Sequence, residues 1–136
     1  MPKLNRGWQI LFDAVAAHGD PAIALPTSPH GRINRAEDCR DLLIEAGCAA
    51  ERVTAALLHA TWRVAAPTDL YDGLLAGTVR MAALIGAQTR AAQANIRAAV
   101  AATVAALPRE IGHDGCSVPT AAILVSASTT PLRDPD

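Results

Sequence analysis

Only two stretches of this chain suit a β-strand, and a long helical pattern separates them. The first, residues 52–64, has no helical period. Val53, Leu57, Leu58, Trp62 and Val64 suit a strand buried on both faces for part of its length. The second, residues 121–127, is the short run Ala-Ala-Ile-Leu-Val-Ser-Ala between Pro119 and Thr130-Pro131, and its length and β-branching favour strand over helix. Two strands are too few to be stable alone. They need helices on at least one face, and further strands from elsewhere.

The rest of the chain is periodic at helical spacing. Trp8, Leu11, Phe12, Val15 and Ala16 make one face of a helix over about 7–18, with Asn5 as its cap and Gly19 at the left-handed stop. An irregular loop over 20–31 carries Pro21, Pro26 and Pro29. Asn34 and Glu37 read as a capping box for a helix with Cys39, Leu42, Leu43 and Ala46 on its apolar face and Gly47 at its end. Thr68 caps a third helix, faced by Leu70, Tyr71, Leu74, Leu75, Val79 and Ala82. A fourth starts at Thr89, with Ile96, Val100, Val104 and Leu107 on its seam, and stops at Pro108 and the Gly112–Gly115 turn. The fold class expected is therefore α+β: about four helices packed on a two-stranded antiparallel pair, in one domain over 1–130, with a frayed tail over 131–136.

Charge and composition narrow the partners. The chain has 136 residues, a formal net charge of −1 and 3% aromatics. There is no basic stripe to neutralise phosphates and no set of rings on which to stack single-stranded bases, so no nucleic-acid partner is expected. No run reaches the roughly 18 apolar residues needed to cross a bilayer, and no signal peptide is evident, so a cytoplasmic protein without a membrane is expected. Three cysteines without a CxxC pair point to reduced thiols.

Few side chains suggest chemistry. His18 and Asp20 flank a glycine at a helix end, where they could act as an acid/base pair or simply as a terminal histidine beside a turn aspartate. His30 and Arg32 lie in the irregular loop and could meet an anionic or carbonyl group. Trp62 faces away from His59 and Arg63 by strand alternation. Gly73 and Gly77 share a helix face, as close packing against another helix would require, and Tyr71 and Arg80 could line a cavity there. His18, His30, His59 and His113 fall on four different elements, so no metal site is expected. Cys116, near His113, has no third group to orient a base.

One longer pattern joins these pieces. Gly7-Trp8, His18-Gly19-Asp20, Leu25-Pro26, Leu42-Leu43 and Ala46-Gly47, followed by Thr61-Trp62-Arg63, the stretch from Leu75 through Gly77 to Arg80, and a helix over 99–107, resemble class I S-adenosylmethionine-dependent methyltransferases of the ubiquinone/menaquinone-biosynthesis type. The resemblance covers about residues 5–128. It implies that 52–64 and 121–127 are the sixth and seventh strands of that fold, an antiparallel pair at one end of the sheet. The helices over 68–107 would then roof a substrate cavity.

In that family the cofactor rests on a Gly-rich turn after the first strand. None of the nine glycines here makes a GxGxxG, and Gly112-His113-Asp114-Gly115 follows a helix without preceding one. The resemblance is therefore to the C-terminal half alone, lacking the cofactor-binding half. No cofactor of its own and no standalone methyl transfer are expected. The partial sheet would be completed by dimerisation or by a separate cofactor-binding chain. The alternative is a small-molecule binder or cofactor-independent enzyme for a small apolar substrate. Its substrate contacts would be Arg32, Trp62, Tyr71 and Arg80, and its catalytic candidates His18, Asp20 and His30.

Overall fold

A computed structural model describes residues 5–25, 35–109 and 115–128. Their order is α1 (Arg6–His18), α2 (Ala36–Glu45), a 3-10 turn (Ala50–Arg52), β1 (Val53–Val64), α3 (Asp69–Gly77), α4 (Val79–Gly86), α5 (Arg90–Ala105) and β2 (Cys116–Ala127). β1 and β2 form a two-stranded antiparallel sheet. The class is α+β. Asn34 of the expected capping box, the loop residues His30 and Arg32, His113 and the tail over 131–136 lie outside the described residues.

The chain divides into two compact units. One contains Pro2–Ser28 and Ala60–Thr120, and it holds the hydrophobic core. Leu11, Leu70, Ile96, Val100 and Val104 are fully excluded from water there, joined by Met81, Leu84, Ile85 and Val118. α1 packs on α5, and α3 packs on both α4 and α5. The expected seam of α5 is the one that is buried, because Ile96, Val100 and Val104 repeat every four residues on one helix face. Thr89 caps that helix, its Oγ accepting the Ala92 N–H at 3.2 Å.

The α1 stripe is rotated from its expected place. Gly7, Ile10, Leu11 and Ala14 are buried, while Phe12 is exposed and Trp8 half-buried. Close contact with α5 selects the smaller side chains and leaves the aromatic rings on the flank. Gly19 is also corrected: its φ is −87°, so it is not a left-handed stop. A Cβ there would come within 2.7 Å of the Val15 carbonyl oxygen, and that close approach is what needs glycine.

The single helix expected after Thr68 is two. Thr78 takes an extended conformation, φ −141° and ψ 118°, between α3 and α4, and its hydroxyl donates to the Leu74 carbonyl at 2.6 Å. That local bond competes with helix continuation. It also leaves Val79, expected on the apolar face, 88% exposed. Gly73 abuts the ring of Trp62 on β1 rather than another helix, and a Cβ there would lie 2.8 Å from two ring carbons.

The second unit contains Pro29–His59 and Ala121–Asp136. α2 has no buried residue, and Leu42, expected on its apolar face, is exposed. At its start Asp38 accepts the Arg35 N–H at 2.9 Å, a one-way cap, because an arginine side chain has no acceptor to offer in return. Gly47 ends this helix with φ +97°, as expected.

Both strands depart from expectation. β1 is not buried on both faces: only its end residues Val53 and Val64 are buried, and most of those between are exposed. Apolar content without alternation is what suggested a two-sided burial that a two-stranded sheet cannot supply. β2 begins at Cys116, five residues earlier than expected, and runs through Pro119. A proline is tolerated on an edge strand when its nitrogen points away from the neighbour.

Candidate functional site

The larger apolar groove forms in the first of these units. α1 places Trp8 and Phe12 one turn apart, and their rings stack with centroids 6.0 Å apart and planes at 25°. Opposite them the α3–α4 break presents Gly77, Thr78, Val79, Arg80 and Met81, and Leu25 completes a groove of about 320 Å³. Its walls are mostly apolar, and among the described residues Arg80 supplies its one charged side chain. A smaller depression of about 190 Å³ lies between α1 and α5, lined by Ile10, Asp13, Ala14, Ala17, His18, Ala99 and Thr103. Two of the polar groups there already have partners: Asp13 accepts from Gln9 at 2.6 Å, and Thr103 donates to the Ala99 carbonyl.

The residues singled out from sequence are dispersed. His18 lines the smaller depression. Asp20 caps its own turn, accepting the Ala22 N–H at 2.9 Å. Trp62 is half-exposed against Gly73. Tyr71 is in the core at 5% exposure; burial pushes its hydroxyl up from its ordinary range, Asp72 adds to the rise and Arg97 opposes it. Arg80 alone among the described candidates borders the larger groove, and neither Trp62 nor Tyr71 joins it. His30 and Arg32 lie outside the described residues. Cys116 is buried in β2 at 2% exposure. Among the described residues, no group of three or more His, Cys, Asp or Glu side chains is placed to hold a metal ion, and no helix is long and apolar enough to cross a membrane.

Sequence reasoning missed two features. Trp8 and Phe12 look like core, and the signal against that was a second, smaller stripe (Gly7, Ile10, Leu11, Ala14) able to fill the helix interface instead. Gln88, 4% exposed, carries no sequence signal at all. Its Oε1 accepts the Asp20 N–H at 2.7 Å, tying the turn after α1 to the end of α4. Its Nε2 has no hydrogen-bond partner among the described residues.

A further feature, implied by a sheet of only two strands, is an open edge. The Thr54 and Ser126 hydroxyls hydrogen-bond at 2.8 Å, and the Ser128 N–H donates to the Arg52 carbonyl at 3.3 Å. These two bonds fix the register. By strand alternation the even-numbered amides of β2 then point to β1, while those of Ala121, Ile123 and Val125 point outward. That outer edge has no strand beside it among the described residues. β2 carries no charged side chain over its whole length, and Pro119 is its only proline. On one face of the ribbon Leu58 and Leu124 are 46% and 54% exposed, with exposed Ala56 and Ala122 between them. Natural edges are normally blunted by charge, proline or a covering element. Among the described residues, this one is not blunted between Thr120 and Ala127.

No protein-family model, curated protein or solved structure matches the chain.

Proposed function

We propose that this chain is a sheet-completing subunit related to methyltransferases, without a cofactor site of its own. Its β1–β2 ribbon is extended along the outer edge of β2 by another polypeptide, either a second copy or a separate cofactor-binding chain. The observation that carries the proposal is that uncharged edge, with Leu58 and Leu124 in water beside it. The family relation rests on the sequence resemblance, which implies an antiparallel pair with roofing helices over 68–107 between its strands; α3, α4 and α5 occupy that stretch. The connection from β1 to α3, Ala65-Ala66-Pro67-Thr68, contains no glycine with which to cradle a phosphate or adenosyl group. All three cysteines are unpaired, which suits a reducing compartment, and we assign the chain to the cytoplasm on that ground. Calorimetric titration with S-adenosylmethionine tests the cofactor claim: no stoichiometric heat is expected, and tight one-to-one uptake would overturn it.

The groove of Trp8, Phe12 and Met81 favours a second reading, a binder of small apolar molecules. Its size is at the lower end of the range for ligand pockets. Thermal-shift titration with naphthol separates the two: stabilisation that V79D removes supports the second reading, and no shift leaves the first.

A further inference from the structure

Resting on that proposal, we infer that the strand completing the sheet is β2 of a second copy, laid antiparallel about a two-fold axis at Ile123. The result is a four-stranded sheet in the order β1-β2-β2-β1.

A two-fold contact requires an edge complementary to itself. The usable edge is bounded at one end by Pro119, whose nitrogen points outward but has no hydrogen to donate. At the other end it stops with the strand, at Ala127. The longest antiparallel overlap of two such edges is centred midway between them, on Ile123. In that register Ile123 exchanges both backbone bonds with its mate, and Ala121 does so with the partner's Val125. The Pro119 carbonyl still accepts the N–H of the partner's Ala127.

The side chains agree with that centre. Facing residues lie on the same side of the sheet, and their Cβ atoms are about 5 Å apart. Leu124 meets the partner's Ala122, and Val125 meets the partner's Ala121, so each large aliphatic group has a small one opposite. Ser126 meets the partner's Thr120, pairing hydroxyl with hydroxyl as Thr54 and Ser126 already do within one chain. An axis at Val125 would instead set Leu124 against a serine. One at Leu124 would set the two exposed leucines against each other and Ala122 against Ser126. With no charge anywhere on β2, two copies meet without repulsion. The exposed strip of Ala56, Leu58, Ala122 and Leu124 becomes continuous across the axis.

Cysteine cross-linking of the full chain tests the register, in a background with Cys39→Ser and Cys48→Ser that keeps only the buried Cys116. Residues directly opposite in an antiparallel pair have Cα atoms about 4.5–5.5 Å apart, within disulfide reach. Oxidation with copper phenanthroline is expected to link I123C to itself, to leave L124C monomeric, and to link L124C when it is mixed with A122C. V125P, which removes an outward amide and spares the amides that face β1, is expected to abolish the dimer while leaving the far-ultraviolet circular dichroism unchanged, and V125K should weaken it. A dimer in which L124C links to itself, or in which I123C does not link, overturns the two-fold at Ile123 and leaves the sheet-completing proposal standing. A chain that stays monomeric but captures a labelled peptide of residues 120–127, unless Val125 is replaced by proline, overturns self-pairing alone. A monomer that captures nothing overturns both.

Discussion

Gly115 shows how a single residue fixes the join between strands. Its φ is +148°, and a Cβ there would stand 2.6 Å from the Val64 carbonyl oxygen. Both the conformation and the space exclude a side chain. G115A should therefore cost about 1–3 kcal/mol in chemical denaturation. Gly73 makes a useful contrast, because its neighbour is the far end of the Trp62 ring, which can swing toward water. G73A should shift Trp62 emission to longer wavelength with a smaller loss of stability, and equal losses in the two variants would contradict this distinction. In the core, Ile96 is completely buried, and I96A should cost about 2–5 kcal/mol through lost burial and the cavity left behind.

At the scale of elements, caps and one ion pair hold the helices in place. T89A removes the hydroxyl that accepts the Ala92 amide and should lower stability by about 1 kcal/mol. Arg97 on α5 grips Asp72 on α3 with two hydrogen bonds, at 3.1 and 2.6 Å. That guanidinium holds the Asp72 carboxyl below its ordinary range, against a smaller opposing effect of desolvation. A carboxylate depressed in the folded state stabilises it above the unfolded pKa, and the gain is lost as pH falls through the folded value. Both side chains are about half exposed, so solvent keeps the effect small. D72N should lower Tm slightly at neutral pH and at low salt, and the difference from the parent chain should vanish in acid.

The elements themselves were largely legible. Four-residue repeats such as Ile96, Val100 and Val104 marked helices, and two short apolar runs marked strands, because periodicity is local information. What escaped depended on distant groups. The split at Thr78 comes from a side-chain bond to Leu74 that no pattern announces. The early start of β2 was hidden by Pro119, which breaks a strand only where its nitrogen faces a neighbour. Of the candidate site, sequence singled out Arg80 but dispersed the rest, because side chains such as Trp8, Phe12 and Met81 come together only once α1 and the α3–α4 break are placed.

At the scale of the whole molecule, the two strands are unequally protected from water. One end of the ribbon, at Val64, Cys116 and Val118, is buried, whereas the outer edge of β2 from Thr120 to Ala127 is uncharged and unpaired among the described residues. A polypeptide that keeps such an edge in water is prone to strand addition, and the partner proposed for it is a second copy. Sedimentation equilibrium of the purified chain at micromolar concentration is the most direct test. A species of twice the 14.1 kDa chain mass, reduced to the single-chain mass by V125P, is predicted. A parent chain that sediments at the single-chain mass across that range would contradict self-completion of the sheet.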